Sequence, residues 1–255
     1  MQFLLAIEAR NKNRGTPIVY SKEVLQLKNM PVKYILMAAA LMLPLFLFLQ
    51  HVFAKEEQKY AYITFDDGPT LNTPQIVETL EKYGARATFF VLEERIVRYP
   101  DFIKKIHHAK NAIGLHGVSH SEAIYYTPNS PLEEMEKANK ALEGVLGRGS
   151  SLVRVPFGSA YRLTKKQAEI LENHGYKIWD WNVDPRDSVG QIIPERVMAN
   201  LRRDLKRCKG DAVILLHDRK STAKLLPQIL ECLKEEGYTM LPLSEKQIPL
   251  NQLRK

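Results

Sequence analysis

From Ala61 onward the chain repeats one alternation: a short apolar run rich in β-branched and aromatic residues, then a segment of helical period closed by turn residues. The runs at 61–65, 86–91, 112–116, 152–156, 176–181, 212–217 and 238–242 read as strands. Several helices between them have legible ends. Thr73-Pro74 opens one that Gly84 closes, Ser130-Pro131 opens one ending near Gly147, and Thr164 with Gln167 makes a capping box for one that stops at Gly175. Two later helices run from about Pro194 to Cys208 and from Ser221 to Glu236. Strands spaced by helix-length connections form a parallel sheet with helices outside it, so the fold class is α/β. A barrel closes such a sheet most economically. An open doubly wound sheet fits the same spacing, but no Gly-rich phosphate loop follows the first strand to support a nucleotide site. No repeat or low-complexity linker interrupts 55–255, which reads as one domain.

Ahead of that domain, Tyr34 to Leu49 is an unbroken apolar run of sixteen residues. It is preceded by Arg10, Lys12, Arg14, Lys22, Lys28 and Lys33 and followed by the near-neutral Lys55-Glu56-Glu57-Gln58, which orients the N-terminus towards the cytoplasm. Its length falls between a signal-peptide core and a full membrane span, and Val52-Phe53-Ala54 matches a signal-peptidase site. Segment 34–54 is therefore a signal peptide cleaved after Ala54 or an uncleaved membrane anchor. Counted from Met30 it makes a conventional 25-residue signal peptide, so 1–33 is either a cytoplasmic leader or, up to residue 29, sequence ahead of the true start. Both readings export the domain to the bacterial cell surface, anchored or secreted. No cysteine follows the run, which disfavours a lipoprotein anchor.

Charge narrows the partners. The formal net charge is +8, of which residues 1–54, with six cations and two anions, contribute half. The exported part carries only +4 and has no Lys/Arg block interleaved with aromatics, so nucleic acid is not a partner it is built for. At most an anionic surface such as a wall polymer or lipid is favoured. Two cysteines, Cys208 and Cys232, are too few for a disulfide framework and lack metal-type spacing, leaving core thiols or one bridge.

The reactive residues gather at strand ends. Asp66-Asp67 follow the first expected strand, His116 and His120 the third, Arg154 ends the fourth, Asp184 follows the fifth and His217 ends the sixth. In a parallel barrel all of those ends share one rim. His116 and His120, at i and i+4, with one carboxylate from a neighbouring strand end, form an Asp-His-His set that leaves a coordination position for water. If Asp67 is that carboxylate, Asp66 is free to act as a base and His217 as an acid. Arg154 would then compensate a buried carboxylate, and Asp184 would orient the His217 imidazole. Each has an ordinary structural reading as a turn acid, a surface pair or a core histidine; their common rim favours function. His51, His107, His108 and His174 lie in the leader or in helices and receive no role. Trp179 and Trp181 flank Asp180 and face one side of the sheet, where packing is the simpler reading; an exposed indole or Tyr126 would suit a sugar face.

Taken together, these residues resemble the polysaccharide deacetylases, carbohydrate esterase family 4, the NodB-like homology domain, from about Tyr60 to Leu243. Thr64-Phe65-Asp66-Asp67-Gly68-Pro69 is similar to the family's first motif, His116-Gly117-Val118-Ser119-His120 to its paired-histidine motif, Arg154-Val155-Pro156-Phe157-Gly158 to its Arg-Pro motif, and Leu215-Leu216-His217 to its last motif. The resemblance implies a distorted (β/α)7 barrel. It implies that Asp67, His116 and His120 hold a divalent metal, zinc by preference, that Asp66 is the general base supported by Arg154, and that His217 is the acid tuned by Asp184. It also implies that the backbone N–H of Phe157 helps to hold the oxyanion. The chain departs from the family pattern at Gly117, where Ser or Thr is usual, and at Ser188, where several members have Trp.

The expected activity is metal-assisted removal of N-acetyl groups from an amino-sugar polymer, with peptidoglycan first among substrates, chitin-like oligomers second and esters of O-acetylated glycans such as xylan third. The rival from another class is an exported glycan-binding protein that keeps the barrel without turnover. A metal-dependent phosphoesterase is a third reading, for which no second ligand cluster is apparent.

Overall fold

Seven parallel strands form one sheet in the order β5-β4-β3-β2-β1-β6, with β7 also paired to β1. This computed structural model describes residues 58–252, Tyr161 excepted, and a few isolated positions between 31 and 43. Segment 34–54 thus falls almost wholly outside the described residues. Among those described, no helix is long and apolar enough to cross a membrane. Residues 58–255 make one compact unit.

The strands are β1 (Lys59–Gly68), β2 (Ala87–Val91), β3 (Ala112–Leu115), β4 (Leu152–Val153), β5 (Lys177–Ile178), β6 (Ala212–His217) and β7 (Tyr238–Met240). Within residues 58–252 the helices are α1 (Thr73–Lys82), α2 (Glu93–Arg98), α3 (Pro100–His108), α4 (Ser130–Leu146), α5 (Lys165–Asn173), α6 (Pro194–Arg207) and α7 (Lys220–Glu235), with a 3-10 turn at Glu122–Tyr125. The helix boundaries read from the sequence hold where proline or a capping box marks the start. Pro lies in the first turn of α1, α3, α4 and α6, and the reciprocal Thr164–Gln167 box starts α5. The β2–β3 connection, unassigned from the sequence, holds the short α2 and α3, which bury Ile96, Ile103 and Ile106.

Side-chain alternation in β1 sorts the core. Ala61, Ile63 and Phe65 face the helices in the main apolar cluster. Tyr62 joins a smaller cluster with Phe90, Leu152, Trp179, Val213 and Leu243 inside the curl of the sheet. By the same period Thr64 and Asp66 continue the inner face of β1. Past β5, a parallel bridge from Val183 to Ile214 of β6 brings the chain back against the other end of the sheet, so the sheet curls into a distorted barrel. The C-terminal segment closes against the inner cluster, with Leu243 N–H donating to Thr88 Oγ1 (2.8 Å) and Gln247 Nε2 to the Tyr62 hydroxyl (2.7 Å). Burying side chains of this size contributes ~1.5–3 kcal/mol each, and the dense two-faced core is what can hold polar groups rigidly at the rim.

Candidate metal centre and active site

Because all strands run the same way, their C-terminal ends lie on one rim, and Asp66, Asp67, His116, Arg154 and His217 all emerge there. Asp67 Oδ1 lies 3.6 Å from His116 Nε2 and 3.7 Å from His120 Nε2. Ligand atoms of the three residues lie within 4.8 Å of one another. Bonds of ~2.0–2.2 Å to a tetrahedral ion put ligand atoms ~3.3–3.6 Å apart, so the set already has nearly the spacing one ion requires. Asp67 Oδ1 is also buried without a hydrogen-bond partner. Leaving a carboxylate oxygen in that state is costly, and a cation removes the cost. The residues present therefore fit a divalent metal.

The histidines are prepared for that role. His116 Nδ1 donates to the Arg154 carbonyl at 2.6 Å, which leaves the Nε2 lone pair free for a ligand. Burial pushes the His116 pKa down, against the opposing pull of Asp66 and Asp67, and so favours the neutral ring that coordinates. His120 and Asp67 both take positive φ, 58° and 65°, as does Phe157 at 64°. Three non-glycine residues in a sparsely populated region around one site store backbone strain that the surrounding packing must hold. The Phe157 ring meets the His120 ring edge-on at 4.4 Å.

Asp66 is 3% exposed and receives Arg154 Nη1 at 3.0 Å. Arg154 itself is fully buried. Its guanidinium also donates to Thr64 Oγ1, to the Trp179 carbonyl (3.1 Å) and to the Asp180 carbonyl (3.0 Å), and it stacks 4.4 Å over the Phe90 ring. Gly114 makes room for that ring: a Cβ there would come within 2.5 Å of it. A buried cation making four hydrogen bonds thus holds one carboxylate oxygen of Asp66, while Oδ2 lies 3.9 Å from His116 Nε2.

His217 pairs with Asp66 in the register of the β1–β6 ladder. The expected link from Asp184 to this histidine is corrected. Asp187 accepts from His217 Nδ1 at 2.8 Å through Oδ1, and through Oδ2 from the His217 N–H at 2.8 Å and Thr222 Oγ1 at 2.6 Å. Asp184 instead turns the loop. Its Oδ1 accepts the Arg186 N–H two residues on, and Arg186 takes a positive φ of 60°, which swings Asp187 into place. Burial works against a charged His217, but the Asp187 hydrogen bond and the charges of Asp187, Asp66 and Asp67 outweigh it and raise its pKa.

With that geometry in place, the comparisons decide the kinship. A family model for polysaccharide deacetylases matches residues 54–179. YheN of Bacillus subtilis, provisionally named a polysaccharide deacetylase, is 34% identical over 212 residues, covering 81% of this chain and 75% of its own. The chain belongs to the polysaccharide deacetylase family. A peptidoglycan-N-acetylglucosamine deacetylase of Bacillus cereus is 31% identical over 196 residues, 73% of this chain and 70% of its own. The crystal structure of a polysaccharide deacetylase from Bacillus cereus superposes with a TM-score of 0.70 at 30% identity, covering 76% of this chain and 97% of that one.

Three supports of this deacetylase site escaped the sequence reading. Asp187 is one; the second acid of Asp184-Pro185-Arg186-Asp187 was its only signal. Asp218 is another: buried, it accepts from Thr70 Oγ1 (2.7 Å), the Thr70 N–H (3.2 Å) and Thr73 Oγ1, which pins the turn after Asp67 to the end of β6. Glu134 of α4 is the third, taking the Val118 N–H at 2.6 Å between the two histidines. Gly117 beside it takes φ 88°, a conformation that favours glycine, and a Cβ there would stand 3.2 Å from Glu134 Oε2.

Proposed function

We propose that this protein hydrolyses the acetamide of N-acetylated amino sugars in a glycan polymer outside the cytoplasm, with peptidoglycan the first substrate and chitin-like oligomers the second. The reading rests on family membership, on relatives named for peptidoglycan deacetylation, and above all on one observation. The orphaned Asp67 Oδ1 faces two histidines while the neighbouring Asp66 is gripped by a buried arginine. One carboxylate is thereby committed to a cation and its neighbour left to handle a proton.

Asp67, His116 and His120 would hold the ion, and their N and O donors suit zinc. When bound, the ion supplies Lewis-acid polarisation of the acetamide carbonyl and makes water a better nucleophile. Asp66, held in place by Arg154, accepts a proton from the water as its oxygen attacks the carbonyl carbon. The Phe157 N–H donates to the oxyanion that develops. His217, charged with the help of Asp187, then gives its proton to the amine nitrogen as the C–N bond breaks. Acetate and a free amino sugar result, and before the next turnover Asp66 gives its proton to solvent while His217 takes one from it. Export follows from such a substrate and agrees with the apolar 34–54 segment, as a cleaved signal or an anchor.

Purified protein with its metal content measured is incubated with N-acetylated peptidoglycan and chitooligomers, alongside Asp66→Asn. Acetate release that depends on Asp66 supports the reading. Stoichiometric metal and glycan binding with no acetate from either polymer would establish the non-catalytic glycan-binding alternative.

A further inference from the structure

The loops after β5 and β6 follow one rule: their acids turn inward and their bases outward. Asp187 and Asp218 are 1% and 2% exposed and are consumed by His217, Thr222, Thr70 and Thr73. Asp184, mostly buried, holds the Arg186 N–H. The cations that alternate with them, Arg186, Arg219, Lys220 and Lys224, are all exposed. Among the described residues Arg186, Lys220 and Lys224 join no ion pair. Arg219 reaches the mouth of the site: its Nη2 stands 3.9 Å from Asp67 Oδ2, on the side of that carboxylate away from the two histidines, and Nη1 lies 3.5 Å from the Ser188 carbonyl. Lys220 and Lys224 line an adjoining open groove with Ser221, Gln228, Ile192 and Leu225. The opposite side of the rim is different, because Glu122 there is matched by Arg162 at 3.0 Å.

Lys220 and Lys224 join no ion pair among the described residues and Arg219 makes only the long 3.9 Å contact with Asp67, so this face is net positive even with exposed Glu195 beside Pro194 at the edge of the groove. It begins beside the metal ligands and runs outward into a groove that also offers hydroxyl, amide and apolar contacts. We propose that this face, centred on Arg219 and Lys220, binds a carboxylate-bearing peptide substituent of the glycan substrate and so selects acidic peptide-substituted amino sugars over neutral ones. The proposal rests on the deacetylase reading above. A guanidinium presents paired donors that match a carboxylate, and the ammonium groups beyond it add point charges along the groove. Such pairs are half-exposed, so the preference is modest and salt-sensitive.

The test compares three matched N-acetylated oligosaccharides: one with an acidic peptide, one with the same peptide fully amidated, and one without peptide. Acetate release is followed on the full-length protein and on Arg219→Gln/Lys220→Gln. Binding to the metal-free proteins is measured by calorimetry in parallel. The wild type is expected to favour the acidic form by ~5-fold in kcat/KM and in affinity, the worth of one exposed ion pair, and to lose that preference near 1 M salt. The double variant should treat acidic and amidated forms alike. Equal handling of the two by the wild type at low salt, or a preference surviving in the double variant, overturns the proposal. So does suppression of binding by soluble poly(glycerol phosphate) that the acidic oligosaccharide fails to reverse, which would assign the face to phosphate polymers. If no oligosaccharide yields acetate, the deacetylase reading fails, and the calorimetry still decides whether carboxylates bind.

Discussion

Asp187 holds His217 twice, with Oδ1 against the ring Nδ1 and Oδ2 against the backbone N–H, both at 2.8 Å. One carboxylate therefore fixes where the imidazole sits, which nitrogen carries the inner proton and how strongly the ring keeps its charge. The raised pKa gives a signed expectation. His217 donates its proton only below its folded pKa, so activity falls as pH rises through that value, and any folding stability from the charged ring is lost over the same range. Asp187→Asn removes the largest raising influence. The alkaline limb of the pH–rate profile should move to lower pH, the NMR titration of His217 should move with it, and kcat should fall by ~10²-fold or more. Asp184→Asn should leave that titration nearly in place; a larger shift there than in Asp187→Asn would reverse the assignment.

Arg154 is the cation that makes Asp66 tolerable in the interior. Removing it strands a buried carboxylate, so Arg154→Ala should lower unfolding free energy by about 3–5 kcal/mol as well as abolish acetate release. Asp66→Asn keeps the hydrogen-bond geometry and should cost activity alone, by ~10²–10⁴-fold, with metal stoichiometry unchanged. Denaturant unfolding of the two variants separates the effects, and equal stability losses would contradict this division of labour.

The unpartnered Asp67 Oδ1 predicts that metal stabilises the fold. Chelation should lower the thermal midpoint, and zinc at 100 times its Kd should restore ~2.7 kcal/mol. Asp67→Ala and His116→Ala should lose both the metal and the response. A midpoint indifferent to zinc in the wild type would show that the three residues hold no ion.

Gly114 tests the support beneath the arginine. A methyl group at this position meets the Phe90 ring at 2.5 Å, and that ring carries the Arg154 guanidinium. Gly114→Ala should destabilise by ~1–3 kcal/mol through overpacking and also reduce kcat. Phe90→Leu in the same background should recover part of the stability, since it relieves the contact.

The strands, the helix ends, the parallel sheet and the grouping of Asp67, His116 and His120 were legible in the sequence for a local reason. Hydrophobic period, Pro and Gly punctuation and the grouping of acids and imidazoles at strand ends are properties of short segments. The partner of His217 was not. Asp184 and Asp187 are chemically identical and three residues apart, and the choice between them is made by the Arg186 turn and by the docking of α7, which brings Thr222 to the same carboxylate. Asp218 and Glu134 escaped for the same reason, since their partners Thr70 and Val118 lie on other elements of the fold. The order along the chain thus determined which chemical groups reach the rim. Only the tertiary structure decided which of them touch, because a hydrogen bond depends on tenths of an ångström set by packing between elements distant in sequence.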